Sequence, residues 1–276
     1  MIGVRLDGRL GNQLFQYAFA YSLSKRLHTS FYLSQFKVDS LLYQFFELPS
    51  NKKWINEKIE RYFWKALKYH ENTDFNAANW KEKCKENNCV YQGFMQSLSF
   101  FEEQHKAIIK EFTIKKKWKK LFEEKYATFF SQNKTIVIHL RKGDYVSPFD
   151  NGTEIIPDIS VSNAYILSCL NRIEALEAYR ILFISDDIAY CKQHFSHLAM
   201  VSFEQNIDIV DMQLLMNADI CILGNSSFSW WAAYLNRKPQ KQIFYPKYWM
   251  GYQMKQWIPD AFICEKLSWI AVHHTE

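Results

Sequence analysis

At 276 residues, 48% of them hydrophobic and 23% charged, the chain has the composition of a folded globular protein, not a disordered one, and is long enough for two modest domains. Its 34 basic residues exceed the 29 acidic ones by five, a mild excess that suits an anionic substrate or membrane surface but is too small for a nucleic-acid binder. No run reaches the roughly 18 apolar residues of a membrane-spanning helix, and MIGVRLDGRL puts charges where the apolar core of a secretion signal would lie. Cys84, Cys89, Cys169, Cys191, Cys221 and Cys264 are scattered without metal-ligand spacing, so a reduced, cytosolic protein without a zinc site is expected. Aromatic residues make up 17%, which fits a heavily packed core and a carbohydrate-facing cleft equally well.

Ile2 to Leu6 reads as the first strand. It runs into Asp7-Gly8-Arg9-Leu10-Gly11-Asn12-Gln13 and then a helix from about Asn12 to Leu27. Phe15, Phe19, Leu23 and Leu27 recur every four residues, and Leu14, Ala18 and Tyr21 add a second apolar face, so this helix should be mostly buried. A glycine-bearing loop between a strand and a helix can bring backbone N–H groups to an anion. It lacks the third glycine of a dinucleotide fingerprint, and on spacing alone a plain strand-to-helix turn is the simpler reading. Phe31 to Ser34 is a second strand. Residues 39–88 are irregular and aromatic, with Trp54, Tyr62, Phe63, Trp64 and Trp80 in helices and long loops. Val90 to Phe94 is a strand ending at a glycine. Lys115 to Lys120 is the most basic run: first a solvated helix face, second a contact for an anionic membrane.

From Thr135 the chain alternates strand and helix, the mark of a parallel sheet, so a domain boundary is expected near 131–134, between domains 1–132 and 133–276. Ile136-Val137-Ile138 is a strand buried on both faces that breaks into His139, Arg141, Lys142, Gly143 and Asp144. A helix follows over Ser162 to Ala178, a strand over Ile181 to Ile184, and a helix capped by Asp208 and ending near Asn217. Strands at Ile220 to Leu223 and Gln242 to Tyr245 complete the series.

Three strand ends in this half carry polar groups: Arg141 with Asp144, Asp186 with Asp187, and Asn225 with Ser226 and Ser227. Open α/β sheets bind ligands at such carboxyl ends. The guanidinium of Arg141 can grip a phosphate with two parallel hydrogen bonds. Asn225-Ser226-Ser227 opens the helix Phe228 to Leu235, whose first-turn N–H groups make a ready anion site. Simple capping would explain these residues as well. An Arg-bearing strand end and a helix cap in one sheet point to a bound phosphate, and a nucleotide pyrophosphate would bridge the two.

HLRKGDY (His139 to Tyr145), GRLGNQLFQYAFA (Gly8 to Ala20) and NSSFSWWAAYLN (Asn225 to Asn236) together resemble the bacterial α-1,2-fucosyltransferases of glycosyltransferase family 11. Weaker echoes are Tyr91 to Ser97, Phe183 to Asp187 and Asp211 to Met216. Family members commonly read HxRRGDY; here Lys142 replaces the second arginine, which keeps the charge but loses the bidentate fork. The resemblance implies an α/β protein of GT-B type, two Rossmann-like domains facing a central cleft, with an acceptor-side N-terminal domain and a C-terminal domain that holds GDP-L-fucose. It implies an inverting enzyme of bacterial surface-glycan synthesis that joins fucose to the 2-hydroxyl of a β-galactoside, lipid-linked or free, and needs no cofactor and no metal. Such an enzyme would work in the cytoplasm, at or near the inner membrane.

The resemblance also assigns roles. Arg141 would neutralise the departing diphosphate. Asn225, Ser226, Ser227 and Phe228 would form the donor loop, with His139 and Asp186 beside it, and Arg9 and Asn12 would reach the sugar and phosphates from the other domain. Asp7, Asp144 and His139 are the candidates for the base that accepts the galactose proton, with Asp7 preferred over Asp144 and a base-free route left open. Asp144 is better placed to hold Arg141 or Lys142, and the cation near His139 disfavours a proton there. The rival readings are transfer of another GDP-linked deoxysugar such as colitose, and a non-catalytic carbohydrate-binding protein.

Overall fold

Short apolar runs separated by amphipathic stretches build two parallel sheets. The computed structural model describes residues 1–34, 40–49, 68–70, 79–147, 149–150, 155–156, 158–252, 254–258 and 267–273. Contacts divide the described residues into two compact units, one of residues 1–115 and one of those from 116 onward.

The first unit contains β1 (Ile2–Arg5), α1 (Leu10–Arg26), β2 (Phe31–Ser34), α2 (Leu41–Phe45), β3 (Lys68–His70), α3 (Trp80–Lys83), β4 (Cys89–Tyr91) and α4 (His105–Glu111). Its strands lie parallel in the order β2-β1-β4-β3. Helix α1 is buried on nearly every side, as its two apolar stripes predict. Phe19 is met edge-on by Tyr91 at 5.6 Å and by Phe100 at 5.4 Å, and Trp80 packs against both Phe19 and Phe100. Much of the aromatic excess is therefore spent on packing.

The second unit contains α5 (Lys116–Gln132), β5 (Lys134–Leu140), the antiparallel pair β6 (Phe149–Asp150) and β7 (Ile155–Ile156), α6 (Asn163–Leu170), β8 (Tyr179–Ser185), α7 (Ile188–Phe195), β9 (Val201–Glu204), α8 (Asp208–Asn217), β10 (Ile220–Leu223), α9 (Ser227–Leu235), β11 (Gln242–Pro246) and β12 (Ile270–Val272). Its main sheet is all parallel, ordered β9-β8-β5-β10-β11-β12. Counted from β5, that is 3-2-1-4-5-6, the order of a dinucleotide-type sheet, with the topological switch between β5 and β10. Ile136, Ile138, Phe183 and Ile222 fill the core against Tyr165 and Cys169 of α6 and Phe195 of α7. Phe183 stacks with Phe195 at 4.7 Å and with Phe203 at 5.6 Å.

Several expectations are corrected. The division falls at Lys115/Lys116 instead of 131–134, because α5 packs with the second unit: Gln213 Nε2 of α8 donates to the Trp118 carbonyl at 3.1 Å. The run Lys116, Lys117, Lys119 and Lys120 is exposed while Phe122 and Tyr126 of the same helix are buried, the expected amphipathic split. The helix predicted over Ser162–Ala178 stops at Leu170, and Ala175 turns the chain at φ +50. Its periodicity overran because Ile173 beyond the end is still buried and Leu176 still packs on the core. Asp208 is not a cap: Ile207 holds that position without a side-chain bond, and Asp208 and Asp211 lie in the first turn, where the helix dipole favours them. Strands β3, β6, β7, β9 and β12 were not foreseen. Trp54, Tyr62, Phe63 and Trp64 lie outside the described residues, as does Cys264; the other five cysteines are buried thiols.

Candidate functional site

The register of the second sheet sets His139 of β5 beside Leu223 of β10, so two polar loops leave side by side at the switch point. The first carries Arg141. Its side chain is 13% exposed, and its Nε and Nη2 both donate to Asp144 Oδ1, at 2.9 and 2.6 Å. Nη1 lies 3.8 Å from Asp186 Oδ2, and the guanidinium sits 5.1 Å from the centre of the Tyr145 ring. Both bonds to Asp144 end on one oxygen, so the two Nη1 protons and the second Nη2 proton are not spent on that pair, and a guanidinium offers five donors in all. The second loop begins at Gly224. Ser226 caps α9 by accepting from Phe228 N at 3.3 Å, and Ser227 and Phe228 form its half-buried first turn. Tyr145 joins the two loops: its ring lies against Arg141, and its hydroxyl donates to the Asn225 carbonyl at 3.3 Å.

Beneath them is a buried brace. Lys142 is 7% exposed and its ammonium donates to Ser160 Oγ at 2.8 Å and the Val161 carbonyl at 3.3 Å, 4.6 Å from the Tyr190 ring centre. Asn225 Nδ2 donates to the Ile159 carbonyl, Tyr252 donates its hydroxyl to the Ser160 carbonyl, and Ile159 N donates to the Tyr145 carbonyl at 3.0 Å. Segment 158–161 therefore fastens both loops from behind. Lys142 spends its charge inside this brace.

Asp186 Oδ1 accepts from Lys142 N at 2.8 Å, and a side chain at Gly143 would have to sit 2.5 Å from Asp186 Oδ2. Glycine at 143 thus lets the β8 end close on the Arg141 loop. Asp187 caps α7 by accepting from Tyr190 N at 2.9 Å, which leaves Asp186 as the member of the pair that meets Arg141.

His139 is 7% exposed, its ring 5.3 Å from that of Phe228. Burial first, and the Arg141 charge second, push its pKa down to about 3. It is therefore neutral at neutral pH. Its Nδ1 and Asn225 Oδ1 are buried polar atoms without a partner among the described residues. Leaving such an atom unsatisfied costs about 1–3 kcal/mol.

The remaining predicted residues lie in the first unit. Arg9 precedes α1, exposed, and no described residue pairs with its guanidinium. Asn12 Oδ1 accepts from Gln96 Nε2 at 2.8 Å. Asp7 is half-buried; its Oδ1 accepts from Gly8 N at 2.7 Å and its own N donates to Gln16 Oε1 at 3.1 Å. Gly8 turns at φ +71, where a side chain would collide with Asn12. The structure thus gathers His139, Arg141, Asp144, Asp186 and Asn225 to Phe228 around one switch point, and Asp7, Arg9 and Asn12 around the loop of the other sheet. Sequence reasoning missed Tyr145 as the link between loops and the brace at Ile159 and Ser160. Tyr145 stood inside a quoted motif; nothing in the sequence marks Ser160.

The profile described as glycosyl transferase family 11 matches residues 1–262. An alpha-1,2-colitosyltransferase of Escherichia coli is 28% identical over 263 residues, 85% of this chain and 87% of that protein. Galactoside 2-alpha-L-fucosyltransferase Sec1 of Mus musculus is 26% identical over 249 residues, 85% of this chain and 64% of that protein. Among solved structures, NodZ alpha-1,6-fucosyltransferase co-crystallized with GDP is similar in fold, with a TM-score of 0.58 at 14% identity, covering 84% of this chain and 91% of that one.

Proposed function

The chain belongs to glycosyl transferase family 11, and from that premise we propose that it transfers L-fucose from GDP-β-L-fucose to the 2-hydroxyl of a terminal β-galactoside, forming an α-1,2 linkage. The observation that carries this reading is Arg141, a partly buried guanidinium at the sheet's switch point, joined through Tyr145 to the capped start of α9. An anion bridging these two loops meets fixed positive charge and unspent N–H groups. The GDP that co-crystallised with NodZ is such an anion.

In the reaction the galactose O2 attacks fucose C1 from the face opposite the diphosphate. The C1–O bond breaks with its electrons going to GDP, and the O2 proton leaves to a base or to the departing phosphate. Inversion follows from the single displacement. Arg141 stabilises the charge gathering on the diphosphate, with Asp144 and Asp186 holding its orientation. On this reading no metal ion takes part in the step. Asp7 is the preferred base, and neutral His139 contributes a hydrogen-bonding ring instead of a charge. Among the described residues no helix is long and apolar enough to cross a membrane. The reading places the enzyme in the cytoplasm, in bacterial surface-glycan synthesis, with the exposed lysines of α5 suited to an anionic leaflet.

The second reading, colitose as the transferred sugar, is favoured by the E. coli colitosyltransferase among the relatives. Competition between GDP-fucose and GDP-colitose for one galactoside tests the choice. Fucosylated product in excess supports the first reading, colitosylated product in excess the second. Calorimetric silence towards GDP would remove both and leave a carbohydrate-binding protein.

A further inference from the structure

The segment Tyr91–Ser97 has no task in the donor site, and the first sheet has a switch point of its own, between β1 and β4. The two loops that leave there are laced together. Gln16, with no exposed surface, accepts from Asp7 N at 3.1 Å and donates to the Gly93 carbonyl at 2.9 Å. Gln96 donates to Asn12 at 2.8 Å, and Arg5 Nη1 donates to Gln92 Oε1 at 3.2 Å.

On this frame Phe94 stands out of the fold. Its side chain is exposed, at 42%, while Tyr91 and Met95 are at 0% and 2%. Met95 reaches its buried position with φ +52, a conformation that a non-glycine residue adopts at a cost. The backbone is thus bent to bury Met95 and present the Phe94 ring. The fold itself leaves the apolar surface of this ring in water. A ligand with an apolar face would cover it.

Around the same two strand ends stand a half-buried carboxylate (Asp7), an exposed guanidinium (Arg9) and two amides (Asn12 and Gln96). One apolar platform with a few fixed polar groups is the lining of a small polar ligand's site. In galactose the axial O4 leaves C3–H, C4–H and C5–H together as an apolar patch on one face. That face can lie on a phenyl ring while the hydroxyls meet carboxylate and amides. We propose that Phe94 is the stacking platform of the acceptor subsite and holds the apolar face of the β-galactoside. This rests on the acceptor proposed above.

The test compares the full-length protein with its Phe94→Ala and Phe94→Tyr variants, using lactose as probe. Saturation-transfer NMR should mark H3, H4 and H5 of the galactose in the wild type and in Phe94→Tyr, and lose that pattern in Phe94→Ala. In the transfer assay Phe94→Ala should raise the lactose KM about tenfold, the worth of one good ring contact, while GDP affinity stays constant. Circular dichroism and urea unfolding, matched to the wild type, report that the first unit of the variant is folded. An unchanged NMR pattern and lactose KM in Phe94→Ala, or an equal loss of GDP affinity, would overturn the subsite. A protein that transfers nothing to lactose yet binds its H3–H5 face through Phe94 would keep the subsite and reject the transfer reading.

Discussion

Arg141 and Lys142 are adjacent cations with opposite fates. Arg141 lies between two carboxylates at the sheet's switch point, whereas Lys142 points into the brace at Ser160 and Val161. Arg141→Lys should therefore be nearly as damaging as Arg141→Ala, each lowering turnover by about 10²–10³, because an ammonium cannot reproduce the planar fork. Urea unfolding should find both proteins folded; wild-type turnover in Arg141→Lys would contradict the role. Lys142→Met should behave in the opposite sense, losing about 2 kcal/mol of stability with the charge-assisted bonds to Ser160 and Val161. His139 makes a pH prediction. Its folded pKa of about 3 lies below the ordinary 6.5, so the unfolded chain binds the extra proton first. The stability it contributes is complete above pH 6.5 and is lost as pH falls from there towards 3. The stability of His139→Gln should thus decline less steeply than that of the wild type over that window, and parallel declines would refute the shift. For the base, Asp7→Asn should lose transfer with GDP affinity intact, and a normal rate across pH 6 to 8 would remove Asp7 from that role.

At the scale of single elements, strong periodicity made the structure legible and loops did not. Strand β5 and helices α1 and α9 were readable because their apolar residues repeat without interruption. Helix α6 was overrun because the turn after Leu170 keeps packing residues of the same pattern, and an αL residue such as Ala175 leaves no mark in the sequence. The cap at Ser226 was readable, whereas Asp208 was a cap only by residue type. Ser226→Ala should cost about 1 kcal/mol of stability through the lost cap and weaken GDP binding. A stability loss with unchanged GDP affinity would make Ser226 a cap alone.

For the whole molecule, the strand order 3-2-1-4-5-6 explains why motifs that lie far apart along the chain meet. His139 and Asn225 are 86 positions apart, yet their strands are neighbours. The residues named in advance at this site belong to the two strand ends and to the β8 end beside them. Tyr145 and the segment 158–161 became visible only with the fold, since their bonds run to groups distant in sequence. The domain boundary was misplaced for a related reason: α5 looks like the tail of the first unit until its contact with α8 is seen. The proposed α-1,2 fucosyl transfer runs without a metal ion. Its most direct test is incubation of the full-length protein with GDP-fucose and lactose in EDTA, with the product linkage read by two-dimensional NMR. The product should be Fuc-α1,2-Gal, formed at an undiminished rate. A different linkage or anomer, or a loss of product that Mn²⁺ restores, would contradict it.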